Sequence, residues 1–176
     1  MPDGVGSRSM LMGHIQIYRV YQDGQRELAY SGRNHIVTSA LTALSELVTQ
    51  KSGVDPAERA VHSLWVESSP VALADVTAAD SGPTGTVVKR AVFDRAADVD
   101  TNVGAVQGLT EYRAVLSQAE GNGTIVRAIG LYMRGDNDDP LLASSTPLFA
   151  RQLTGAVPKD NTFALDFRWR IQFTIA

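Results

Sequence analysis

Large apolar side chains take every odd position from 163 to 175: Phe163, Leu165, Phe167, Trp169, Ile171, Phe173 and Ile175. Ala164, Asp166, Arg168, Arg170, Gln172 and Thr174 lie between them. Successive side chains of a strand point to opposite faces, so this run has one apolar face and one polar face. On a helix the same residues would spread round the circumference and form no stripe. Full burial of each large side chain contributes roughly 1.5–3 kcal/mol, so this strand alone can anchor a core. The run predicts a strand that closes a sheet.

The rest of the chain reads as further strands around one helix. Residues 14–21 are rich in β-formers (Ile15, Ile17, Tyr18, Val20, Tyr21), and Asp23-Gly24 is a favoured type I′ turn pair leading to a return strand over 25–30. Thr38 or Ser39 is placed to cap a helix over about 39–50, with Ala40, Leu41, Leu44, Leu47 and Val48 on its apolar face. Lys51 meets the C-terminal dipole, Gly53 ends the helix and Pro56 stops its return. Strands follow over 63–67, 86–93, 109–118 and 124–134, and 141–153 is again apolar. Gly121-Asn122-Gly123, residues 135–140 and Pro158-Lys159-Asp160-Asn161 read as turns, while 68–85 and 94–108 read as long irregular connections. Several short strands with a single helix predict a mainly-β fold, an antiparallel, jelly-roll-like β-sandwich. Residues 14–176 are expected to form one domain, preceded by a flexible arm over 1–13 that orders on a neighbour.

Composition narrows the chemistry. A chain of 176 residues with 44% hydrophobic and 20% charged residues suits one globular domain. A net charge of -3 provides no general pull toward nucleic acid or an anionic membrane, so neither is expected as a partner. The absence of cysteine removes disulfides, thiolate metal sites and cysteine nucleophiles. Residues 1–13 lack the apolar stretch of a signal peptide, and no segment approaches the roughly 18 apolar residues of a membrane span. No G-x-S-x-G, H-E-x-x-H, P-loop or post-strand G-x-G-x-x-G motif occurs, so no catalytic residue, cofactor or metal is expected.

His14, His35 and His62 fall in different elements and read as solvated side chains rather than metal ligands. Asp136, Asp138 and Asp139 make a polar turn that lacks the sixth-position glycine and twelfth-position glutamate of an EF-hand, and cation binding there stays open. Trp65 and Trp169 read as core aromatics, since neither sits in an aromatic-and-basic stripe. Asp166, Arg168 and Arg170 share the polar face of the last strand, either as a solvated face with modest ion pairs or as a contact with acidic residues of another subunit. With Met1 in the arm and Ser68 at the head of the long connection, they are the candidate interface residues.

A resemblance follows from the order of motifs. Asn34-His35-Ile36-Val37-Thr38 leads into the helix, and Glu120-Gly121-Asn122-Gly123-Thr124-Ile125-Val126-Arg127-Ala128-Ile129-Gly130-Leu131-Tyr132 comes much later. Leu141-Leu142-Ala143, Phe149-Ala150-Arg151, Lys159 and the run from Phe163 to Phe173 complete the series. This series is similar to tailed-bacteriophage structural proteins of the tail-collar fibre type. Arg127-Ala128 departs from the acidic residue that the family often carries before Ile-Gly-Leu, and the family's long fibre extension is not expected here. The resemblance therefore implies a small neck, collar, tail or baseplate component of the virion, assembled in the host cytoplasm. Its implied partners are copies of itself, in a homo-oligomer, and other virion tail or neck proteins, with fibre attachment as one role. It implies no catalytic residues. The alternatives are a lectin-like carbohydrate-binding receptor-recognition module, a capsid decoration protein and a hydrolase. Against the lectin, the stretches 68–85 and 94–108 contain no Trp or Tyr.

Overall fold

The computed structural model describes residues 9–48, 60–101, 103–106, 108–133 and 148–175. In chain order the elements are β1 (Ser9–Tyr21), β2 (Arg26–Arg33), β3 (His35–Ile36), α1 (Thr38–Val48), β4 (Val61–Ser68), β5 (Thr86–Val92), β6 (Val99–Asp100), β7 (Leu109–Leu116), β8 (Thr124–Met133), β9 (Leu148–Lys159) and β10 (Phe163–Ile175). The strands form two five-stranded antiparallel sheets: sheet A in the order β2-β1-β10-β7-β6, and sheet B in the order β3-β9-β8-β4-β5. Among the described residues the fold is the expected mainly-β sandwich with one α-helix.

The last strand is the centre of sheet A rather than its edge. It pairs with β1 along its whole length, from Ser9↔Ile175 to Tyr21↔Phe163, and with β7 from Gln172↔Leu109 to Leu165↔Leu116. Phe163, Leu165, Phe167, Trp169 and Ile171 are all buried, as the alternation predicts, and the side chains of Phe173 and Ile175 lie outside the described residues. They face Ile15 and Ile17 of β1, Ala114 and Leu116 of β7, and Leu64, Val66, Ile129 and Leu131 of sheet B.

Four expectations are corrected. β1 starts at Ser9, so 9–13 belongs to a strand and not to an arm, and residues 1–8 lie outside the description. The first hairpin turns through three residues: Gly24 N donates to Tyr21 O and Tyr21 N to Gln25 O, both at 3.0 Å. Gly24, at φ 83, supplies the left-handed residue that such a loop needs after its type I turn, so the two-residue type I′ turn is not formed. Pro158 and Lys159 lie in β9, opposite Ile125 and Thr124, and the loop begins at Asp160. Lys159 is held there because its ammonium, buried beside Phe163, donates to Asn122 Oδ1 at 2.9 Å and to the carbonyl of Asp160. The 94–108 connection carries β6, paired through Val99↔Tyr112 and Asp100↔Glu111.

Helix α1 rests on β9 through Ala40 and Ala43, while Leu41 is 56% exposed and lies off the packing stripe. Its first hydroxyls act as tethers rather than caps: Thr38 Oγ1 donates to Ala78 O at 2.9 Å and Ser39 Oγ to Leu148 O. Lys51, Gly53 and Pro56 fall outside the described residues.

Sheet B is covered on both faces. On its outer side Trp65 stacks on Tyr132, with centroids 4.1 Å apart, beside Val37 and Leu148. Gly130 opposes Trp65 across the ladder, and a Cβ there would meet the Tyr132 ring at 2.7 Å, so the stack requires a glycine. The 69–85 segment is drawn onto this side by Glu67 and Arg151, which are fully buried. Arg151 donates to both Glu67 oxygens at 3.0 and 2.8 Å and to Asp80 Oδ2 at 3.0 Å. Glu67 Oε2 also accepts from the amides of Thr84 and Gly85, each at 3.1 Å.

Breaking a buried pair from one side leaves an uncompensated charge, which costs about 3–5 kcal/mol. Glu67→Gln is expected to lower stability toward the lower end of that range, because Asp80 remains, and to speed hydrogen exchange at the Thr84 and Gly85 amides. Replacing Glu67 and Arg151 together by methionine is expected to recover much of the stability. Unchanged exchange at those two amides in Glu67→Gln counts against the latch.

Candidate functional site

The alternation that buries one face of sheet A presents the other as ordered rows of polar side chains. Across the sheet, Arg33, His14, Arg170, Glu111 and Asp100 stand in one row. Ser31, Gln16, Arg168 and Arg113 form the next, and Leu28, Tyr18, Asp166 and Val115 the third. The side chains on this face are half-exposed or exposed, with one exception.

That exception is Asp166, only 1% exposed although it occupies a polar position of β10. The expectation of a solvated carboxylate is therefore corrected. Arg26 Nη2 donates to its Oδ2 at 2.6 Å, Arg113 Nε to Oδ1 at 2.9 Å, and Arg168 Nε to Oδ2 at 3.4 Å. The physical reason is the register: Arg113 and Arg168 are direct cross-strand neighbours, an arrangement that destabilises when both carry the same charge. Asp166 lies one row away and accepts from both, so it acts as their shared counter-ion. Its hydrogen bond is also the first cause that raises the Arg113 pKa above the ordinary guanidinium value. The Tyr18 ring completes the setting, with Arg26 at 4.5 Å and Arg168 at 6.0 Å from its centroid.

Arg170 is paired with Glu111, Nε to Oε2 at 2.7 Å, and Arg168 Nη1 lies 3.8 Å from Glu111 Oε1. Ion pairs whose cations stay this exposed contribute little stability each, on the order of 0–1 kcal/mol. Their larger effect is on geometry, since each carboxylate fixes where its guanidiniums point. Next to them a polar depression of about 500 Å³ is lined by Asp98, Asp100, Thr101, Glu111, Arg113 and Arg168.

Of the candidate interface residues, Asp166, Arg168 and Arg170 are brought together here. Ser68 is not: it ends β4 in sheet B, is 8% exposed, and its hydroxyl donates to Thr86 O at 3.5 Å. Met1 lies outside the description, as do Asp136, Asp138 and Asp139. Arg26, Arg113 and Glu111 join the site unforeseen. The signal for the last two was present, because they alternate with Tyr112 and Ala114, but only the strand order shows that β7 lies beside β10. His14 Nε2 lies 3.0 Å from Ser31 Oγ; His35 and His62 sit on β3 and β4, in the other sheet. Among the described residues no group of three or more His, Asp or Glu is arranged to hold a metal ion, and no helix is long and apolar enough to cross a membrane. The chain matches no protein-family model, no curated protein and no solved structure.

Removing the shared counter-ion exposes the repulsion it hides. Asp166→Ala is expected to cost about 1–3 kcal/mol, the penalty for lost charge-assisted hydrogen bonds, since the arginines can turn outward to water. The loss should be larger in low salt and shrink at high salt, where the Debye length falls to about 3 Å at 1 M. Urea midpoints at the two ionic strengths check this; a variant as stable as wild type in low salt speaks against the counter-ion role.

Proposed function

We propose that this chain is a non-enzymatic virion structural protein of a tailed bacteriophage, similar to the tail-collar fibre type. It is a neck, collar, tail or baseplate component that assembles with copies of itself and with neighbouring virion proteins and offers fibres a place of attachment. The observation that carries the reading is the outer face of sheet A, a broad strand surface with pre-set arginines. Five arginines (26, 33, 113, 168, 170) and four carboxylates (Asp98, Asp100, Glu111, Asp166) leave this face at +1. The whole chain carries -3, so the remainder carries -4. Arginines already held by Glu111 and Asp166 lose little further freedom on docking, which favours association.

Charge also restricts the geometry of such contacts. A positive face opposes its own copy, so a two-fold contact through this surface is disfavoured, whereas a head-to-tail contact with an acidic surface is attractive. Head-to-tail contacts between identical copies close into rings when the rotation permits, the form that a collar or neck requires.

A second reading, a carbohydrate-binding module, draws support from the polar depression beside Glu111, whose carboxylates and guanidiniums suit sugar hydroxyls. Capsid decoration is a third role that would use the same contact surface.

Sedimentation velocity of the isolated chain and binding to purified neck and tail proteins separate these readings. The assembly reading expects self-association or binding that weakens as salt rises and falls by at least tenfold in Arg113→Glu. A monomer at every salt concentration, with no affinity for those proteins, refutes it.

A further inference from the structure

At the end of sheet A's outer face beyond the Asp166 cluster, basic side chains stand on three adjacent strands in one row. His14 on β1 is paired in register with Arg33 on β2 and with Arg170 on β10. With strands about 4.8 Å apart, the two arginines start roughly 10 Å from each other, so their side chains can close over the imidazole between them. All three line one depression of about 260 Å³, with Gln172 adding an amide and Gly13 and Leu109 the remaining wall.

The contrast with the neighbouring arginine pair is informative. Arg113 and Arg168 are direct cross-strand neighbours, and the chain supplies Asp166 as their shared counter-ion. In the row of His14, Glu111 holds Arg170 from its far side, away from His14. The Arg33 side chain has no hydrogen bond or ion pair among the described residues. The imidazole is steadied by Ser31 Oγ at 3.0 Å, and Arg170 by Glu111. Among the described residues no carboxylate contacts the row on its Arg33 side.

From this geometry we infer that the depression binds a phosphate group carried by a small ligand. Guanidinium forks from two opposite strands, with the imidazole between them and the Gln172 amide alongside, offer donors from several directions. That suits the several oxygens of a phosphate better than the two of a carboxylate. A water occupies about 30 Å³ of liquid, so a space of 260 Å³ exceeds a bare anion and leaves room for the group that bears the phosphate. The site shares the outer face of sheet A with the proposed assembly surface but does not require assembly, so an isolated monomer suffices for the test.

The full-length chain is titrated with inorganic phosphate and, separately, with glucose 6-phosphate, at constant ionic strength set with sodium chloride. The His14 ring and the Arg33 and Arg170 Nε–H signals are followed by NMR. Both probes are expected to give saturable shifts at these three residues. Arg33→Gln and Arg170→Gln should weaken affinity about tenfold or more, the effect of one charge-assisted hydrogen bond. Arg33→Lys, which keeps the charge and loses the fork, should fall between. Arg127→Gln, on sheet B, should leave affinity unchanged. Tighter binding of glucose 6-phosphate assigns the site to a phosphorylated sugar, and tighter binding of inorganic phosphate to the free ion. Shifts that fail to saturate, that chloride alone reproduces, or that persist at wild-type affinity in Arg33→Gln overturn the inference.

Discussion

The hydrogen-bonded register of β10 between β1 and β7 is the constraint on which both faces of sheet A depend. Strand side chains have a period of two, so a slip of one residue would move Phe163, Leu165, Phe167, Trp169 and Ile171 into water and Asp166 into the core. The apolar side holds the register by burial. On the polar side, Asp166 accepts from Arg26 on β2, Arg113 on β7 and Arg168 on its own strand, and those contacts form only in this register. Core and surface thus specify the same pairing, the kind of agreement across levels that gives a sequence one structure.

The two sheets differ in what lies outside them, and that difference decided what the sequence revealed. Sheet A has one face toward water, so β10, β1 and β7 alternate cleanly and were legible. Sheet B has a core face and an outer face covered by the 69–85 segment, and all of β4 from Ser63 to Ser68 is buried. A strand covered on both sides loses its alternation, and Glu67 in such a strand looks like a surface residue. Its burial follows only from Arg151, 84 positions away in the chain, and from the amides of Thr84 and Gly85. The burial of Asp166 was hidden for a related reason, because two of its three partners come from other strands. Lys159 looked like a loop residue until Asn122, from a different turn, was placed beside its ammonium.

Function is legible in the same proportion. The alternation identified Asp166, Arg168 and Arg170 as a shared polar face. It could not show that Asp166 is spent neutralising arginines and has no capacity left for a partner. Once the carboxylate is assigned inward, the exposed groups of the face are mostly cationic. A chain with overall negative charge then carries a positive sheet surface, which on the proposed assembly reading favours contacts between unlike surfaces over a two-fold contact through this face. The Arg33, His14 and Arg170 row lies on that surface but lacks a carboxylate of its own between the arginines.

The central claim, that the outer face of sheet A is the working surface, is tested most directly by arginine footprinting. Phenylglyoxal modification rates are measured residue by residue on the isolated chain and on the assembled form or its complex with a neck or tail protein. Selective protection of Arg26, Arg113, Arg168 and Arg170 on assembly is the predicted result, with Arg127 on sheet B reacting as before. Equal reactivity of the four sheet A arginines in both states, or protection confined to Arg127, would contradict it.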